Sequence, residues 1–130
     1  MSLISGYNKQ VVTVNSSTSA DITVPAIRAP FGGITITGVY GMSSTTLGAS
    51  TADYFSLTLL NGGTTGTATA TIGTAGGTAG WVANTSKSFS LNTAADELTE
   101  GQFLMVKYDE TGTVAIADWT VIVEYVAGKG

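Results

Sequence analysis

The sequence predicts an all-β domain: an antiparallel β-sandwich, built as a jelly roll of about eight strands. Three observations carry this prediction. Apolar and polar residues alternate over most of the chain. Clusters of Asn, Ser, Thr and Gly interrupt the alternation at strand-like intervals. No ten-residue stretch shows the i, i+3, i+4, i+7 spacing of an amphipathic helix.

The elements follow in order. Lys9–Val14 and Ala20–Val24 read as two strands joined by the turn Asn15-Ser16-Ser17-Thr18. Pro25 and Pro30 bracket Ala26–Ala29, which reads as a loop. Gly33–Tyr40 alternates, with Ile34, Ile36 and Tyr40 on one face and Thr35, Thr37 and Val39 on the other. Gly41–Ala52 is a loop of small residues. Asp53–Leu60 is a strand with Phe55, Leu57 and Leu59 toward the core, closed by the turn signal Asn61-Gly62-Gly63. Thr67–Ile72 reads as a thin strand and Gly73–Gly80 as a flexible connection. Trp81–Leu91 holds one or two strands, and Asn92–Gly101 is expected to carry a helical turn around Ala95–Leu98. Gln102–Tyr108 is a strand ending at the hairpin turn Asp109-Glu110-Thr111-Gly112. Asp118–Val126 is the last strand, with Trp119, Val121, Val123 and Tyr125 on one face.

The chain has 130 residues, enough for one domain. That domain is expected over residues 9–130, with Met1–Asn8 as an N-terminal arm. Only 14 residues are charged, which is 11% against roughly 25% for an ordinary domain. Cysteine and histidine are absent. Disulfides, thiolate chemistry, the usual zinc sites and imidazole-activated nucleophiles are therefore excluded. The net charge is −4, and Lys9, Arg28, Lys87, Lys107 and Lys129 are scattered, so no nucleic-acid partner is expected. No apolar run approaches the roughly 18 residues of a membrane span. Residues Met1–Gln10 lack the long apolar core of a secretory signal. The expectation is synthesis in a cytosol, with release inside an assembled particle as one route out.

So few charges leave a small domain prone to self-association. Two strands sharpen the point. Gln102–Tyr108 has Leu104, Val106 and Tyr108 on one face but Phe103 and Met105 on the other. Asp118–Val126 has Ile122 and Val126 opposite its aromatic face. A half-exposed strand is normally polar outside. Either loops cover these residues within one chain, or Phe103, Met105, Ile122 and Val126 form a subunit interface on a C-terminal hairpin.

Carboxylates are the remaining catalytic candidates. Asp96, Glu97 and Glu100 cluster in sequence, as do Asp109 and Glu110. They fall in turn-forming segments, where solvated acids are ordinary; such a cluster could bind Ca²⁺ weakly, but the spacing fits no EF-hand loop, so no metal is expected. Gly73–Gly80 lacks the lysine and the following helix of a phosphate loop. Thr67, Thr69 and Thr71 form a short ladder that β-propensity explains, as it does Thr35 with Thr37. Tyr7, Tyr54 and Trp81 would be the aromatics of a sugar platform if the chain were a carbohydrate-binding module.

The stretch Phe55-Ser-Leu-Thr-Leu-Leu-Asn-Gly-Gly63 leads into a Thr/Gly-rich segment with Gly76-Gly-Thr-Ala-Gly80. Glu97-Leu-Thr-Glu-Gly101 precedes a strand and a TG turn, and Val121-Ile-Val-Glu-Tyr-Val126 follows near the end. This pattern resembles small virion structural proteins of tailed bacteriophages, notably jelly-roll capsid decoration (cement) proteins. The resemblance implies a non-enzymatic, cofactor-free protein made in the bacterial cytoplasm. It would form a homotrimer on the outer surface of the head and clamp neighbouring major capsid subunits. Met1–Asn8 would then be an arm ordering on the capsid, with Ser2, Leu3, Ile4 and Tyr7 in contact. A fibre, spike or tail component touching the host is the alternative in the same setting. A sugar-binding module and a glycosidase on the acidic cluster are the alternatives outside it.

Overall fold

A computed structural model describes residues 9–16, 21–114 and 118–128. The expected arm, Met1–Asn8 with Ser2, Leu3, Ile4 and Tyr7, lies outside the described residues. The described chain is all-β. Its strands are β1 (Gln10–Ser16), β2 (Ile22–Arg28), β3 (Ile34–Ser43), β4 (Tyr54–Asn61), β5 (Ala70–Gly76), β6 (Lys87–Ser88), β7 (Ser90–Leu91), β8 (Glu97–Leu98), β9 (Phe103–Thr111) and β10 (Trp119–Ala127).

These strands form two antiparallel sheets. The first runs β1-β10-β3-β6, with β8 also on β3; the second runs β2-β9-β4-β5-β7. The order is that of one long antiparallel ribbon folded over on itself. The ribbon's rungs are β1 with β10, β2 with β9, β3 with β6 and β4 with β5. Successive rungs fall in alternate sheets, and the roll closes through β10 on β3 and β4 on β9. This is the jelly-roll sandwich that the sequence predicts.

Alternation decides what lies between the sheets. Phe55, Leu57 and Leu59 of β4 and Leu104, Val106 and Tyr108 of β9 are fully buried. They face Trp119, Val121 and Val123 of β10, with Ile34, Ile36 and Val39 of β3 and Val14 of β1. Tyr125 packs against this core from its rim.

The departures from expectation cluster at three bulges. Opposite Glu124 and Tyr125, β3 carries one extra residue, Thr37. A bulge shifts the inward phase by one residue, so Val39 points inward and Tyr40 outward, the reverse of strict alternation. Between Pro25 and Ile27 a second bulge lets β2 continue to Arg28, where the two prolines suggested a loop. Pro25 is tolerated because β2 is an edge strand, whose outer side needs no donor. A third bulge between Leu59 and Leu60 buries Ile72. There β5 begins at Ala70 and absorbs Gly73–Gly76, so the expected flexible connection is half strand. Thr71 of the threonine ladder lies in β5, and Thr67 and Thr69 precede it.

Two further local readings are revised, and the one or two strands expected within Trp81–Leu91 are found as two. Ala95–Leu98 forms no helical turn, because Glu97–Leu98 pairs as β8 with Ile34 and Thr35. Trp81 makes an isolated bridge to Leu47 before the two short strands β6 and β7. Strand β9 runs on to Thr111, so the Asp109–Gly112 signal marks its end and not a hairpin; β10 joins the other sheet.

Candidate functional site

The four residues expected at one interface do not share a surface. Phe103 and Met105 belong to β9 in the second sheet, and Ile122 and Val126 to β10 in the first. Their strands turn their inner faces toward each other across the core, so the two pairs look out on opposite sides of the sandwich. Met105 is 8% exposed and lies under the chain's own loop after β4. Asn61 Oδ1 accepts from Gly63 N at 2.9 Å, and Gly62 N donates to Phe103 O at 2.8 Å. Phe103 N in turn donates to Gly63 O at 2.9 Å. These bonds fold residues 62–66 across Met105. A shallow cavity of about 230 Å³ remains between Pro25, Thr65, Gly66, Phe103 and Met105. Loop cover thus accounts for Met105 on the second apolar face of β9, and Phe103 beside it is partly buried.

The two outer faces differ in chemistry. Register aligns Thr23, Lys107, Thr58, Thr74 and Ser90 in one row across all five strands of the second sheet. Four of these five carry hydroxyls. The first sheet presents Val11 beside Glu124, Thr13 beside Ile122 and Tyr40, and Asn15 beside Thr120 and Met42. Here Val11 is 57% exposed, and Ile122, Tyr40 and Met42 are partly buried. On this face Val11 of β1 is the exposed apolar residue, while Ile122, Tyr40 and Met42 continue the face across β10 and β3.

Trp81 is no sugar platform. It is 3% exposed, with Phe55 stacked on it at 4.8 Å and 5°. Lys87 Nζ sits 4.9 Å from its ring centre and also donates to Gly80 O at 2.7 Å. The ring thus has an aromatic and a cation as packing partners and supplies no open stacking face. Beside it an open groove of about 470 Å³ is bounded by Leu47, Ala49, Val82 and Thr85. Tyr54 stands on the outward face of β4, partly buried. Tyr7 lies outside the described residues.

The acidic residues divide between the sheets. Glu97 pairs with Thr35, and Asp96 O accepts from Ile36 N at 2.8 Å. Asp109 and Glu110 lie at the far end of β9, opposite Ser56 and Phe55. Asp109 is 4.0 Å from Lys107, and Glu110 N donates to Asp21 Oδ1 at 2.9 Å. Among the described residues no three or more Asp or Glu gather as a metal site.

One ionisable group is strongly perturbed. Tyr108 is buried, and its hydroxyl donates to Glu110 Oε2 at 2.9 Å. Burial, then the Glu110 hydrogen bond and the Glu110 and Asp21 charges, push its ionisation well above the ordinary tyrosine range. The folded state therefore holds a proton that the unfolded chain releases above about pH 10. Stability from this group is complete below that pH and declines as pH rises above it. Tyr108→Phe is expected to flatten the fall in unfolding free energy above about pH 10. Urea titrations of both proteins between neutral and alkaline pH check this. Parallel curves would show that another group controls the alkaline limit.

No family model and no curated relative matches the chain. Among solved structures, a chain in the structure of infectious bursal disease virus Gx strain is similar, with 14% identity and a TM-score of 0.38. A chain of the Gt strain of the same virus shows 12% identity and a TM-score of 0.36. The matches cover 95% and 92% of this chain. They span only about a third of those longer chains, 34% and 33% respectively. A likeness this distant carries no functional argument.

Proposed function

We propose that this chain is a non-enzymatic structural protein of a virion. In its most concrete form it is a decoration protein on the outer surface of a tailed-bacteriophage head, clamping neighbouring major capsid subunits. The supporting observation is the pairing of a complete jelly-roll ribbon with a surface supplied by only 14 charged residues in 130. Such a surface suits a protein whose neighbours cover much of it. The mechanism is mechanical. Area buried between the sandwich and adjacent capsid subunits must be re-exposed before those subunits separate, so the shell resists pressure from within. Ser2, Leu3, Ile4 and Tyr7 would extend that contact as an arm.

The test is sedimentation of purified protein with expanded capsids that lack their decoration. Saturable co-sedimentation and a higher capsid disruption temperature are expected. A variant lacking residues 1–8 is expected to bind at least tenfold more weakly, a loss of about 1.4 kcal/mol. Absence of saturable binding by the intact chain would reject the decoration role. Unchanged binding by the shortened chain would reject the arm.

A further inference from the structure

We propose that β1 is a self-association edge: two copies join their first sheets by antiparallel pairing of β1 with β1. The argument begins with the four sheet edges. Unpaired edge strands template further pairing, and proteins blunt them with proline, bulges or short length. In the second sheet one edge, β2, carries Pro25 and a bulge at Pro25–Ile27, and the other, β7, has two residues. Among the described residues the far side of β3 in the first sheet meets only β6 and β8, of two residues each. Among the described residues the remaining edge is β1, which keeps unbroken register with β10 and whose Gln10–Asn15 pairs with no other strand. It contains no proline and no charge from Gln10 to Asn15. Its most exposed apolar side chain, Val11, stands beside the partly apolar outer face of the same sheet.

The occupant follows from charge and symmetry. Lys9, with a 60% exposed side chain, lies just before β1. Asp118, also exposed, lies just before Trp119, the residue paired with the last residue of β1. Antiparallel pairing of two β1 strands brings the Lys9 end of each copy to the Asp118 end of the other. Parallel pairing would set Lys9 against Lys9. Lys9 already lies 3.8 Å from Glu124, so the carboxylate of a second copy would complete an acidic pair around it. A twofold axis normal to the sheet keeps each side chain on its own face. Val11 then meets outward Thr13 or Asn15 of the second copy, and Val12 and Val14 extend the inward row. Pairing of this kind uses the same edge on both copies, and the other edges are blunted, so assembly closes at two. This goes beyond the proposed function, whose resemblance implies three copies.

The test is light scattering behind a sizing column over a concentration series, with no capsid present. The expected mass at high concentration is twice the 13.2 kDa of one chain. Val11→Lys is expected to give a monomer with unchanged circular dichroism and cooperative unfolding, because the new ammonium remains solvated beside Glu124. Thr23→Lys on the blunted β2 edge is expected to leave the dimer intact. Lys9→Asp and Asp118→Lys are each expected to weaken association about tenfold, since two symmetry-related pairs turn from attraction to repulsion. The double variant should restore it. A monomer at every concentration, a trimer, or a dimer indifferent to Val11→Lys would overturn the proposal. Failure of the double variant to recover would overturn the antiparallel register. None of these outcomes bears on capsid binding.

Discussion

Phe55→Ala is expected to lower the unfolding free energy by about 4 kcal/mol. Phe55 is fully buried as an inner member of a row of four aromatic rings. Trp81 stacks on one side at 4.8 Å, and Tyr108 is tilted against the other at 5.2 Å. Tyr108 in turn stacks on Trp119 at 5.8 Å and 4°. The row crosses the sandwich, because Phe55 and Tyr108 belong to the second sheet and Trp119 to the first. Truncation removes the buried ring, leaves a cavity and severs two aromatic contacts, each worth about 1 kcal/mol beyond area. Domains of this kind hold about 5–15 kcal/mol in total, so the variant would be near its folding limit at 37 °C. Phe55→Leu, which keeps most of the volume, is expected to cost less than half as much. Urea unfolding followed by tryptophan fluorescence measures both. A loss under about 2 kcal/mol for the alanine variant would mean that the neighbouring rings collapse into the space.

Gly80→Ala is expected to cost about 3 kcal/mol through the backbone. Gly80 has φ of +82°, a region where a side chain alone costs roughly 1–2 kcal/mol. A Cβ there would also strike the carbonyl oxygen of Leu47, and would approach Ala49 N to 2.9 Å. These are backbone atoms held in place. Leu47 N donates to Trp81 O at 2.9 Å, and Trp81 N donates to Leu47 O at 2.8 Å. Relief of the clash must open this bridge, which seats Trp81 against Phe55. The loss should therefore come with a changed tryptophan emission in the folded state. Gly48→Ala is the matched control, since nothing lies within 4 Å of its added carbon, and it should change stability by less than about 0.5 kcal/mol. Equal effects at the two positions would refute the steric account.

The sequence is most legible where strands run without interruption. Phe55, Leu57 and Leu59, then Leu104, Val106 and Tyr108, then Trp119, Val121 and Val123 occupy the inward positions that alternation assigns them. It is least legible at the bulges. An extra residue such as Thr37 leaves no mark in composition, yet it exchanges the roles of Val39 and Tyr40. Pro25 is a strand-breaker in a central strand and acceptable on an edge, and a sequence does not display which strand is outermost. The four residues expected on one C-terminal hairpin are divided between two sheets for a related reason. Gly112, with φ of +72°, ends β9 with turn chemistry that serves a hairpin and a crossing between sheets equally well. Which sheet β10 enters depends on β1 and β3, far away in the chain. Cover of Met105 by the loop beyond Asn61 is likewise a long-range event. The β1 edge had one local signal: the next strand contains proline and β1 does not.

The rolled ribbon also dictates an order of assembly. Its innermost rung joins β4 to β5 through a short connection, whereas its outermost rung joins residues 105 and 115 positions apart, as in Thr120 with Asn15 and Tyr125 with Gln10. During synthesis the β4–β5 hairpin has both halves early, while β1 must wait for β10 to leave the ribosome. Loop-closure entropy delays distant pairings for the same reason in a refolding chain. Folding is therefore expected to wind from the middle outward on the slow, millisecond-to-second scale of β topologies. Until the last turn is made, Val14 and its neighbours on β1 stay in water, and a nascent chain is then most exposed to capture by chaperones.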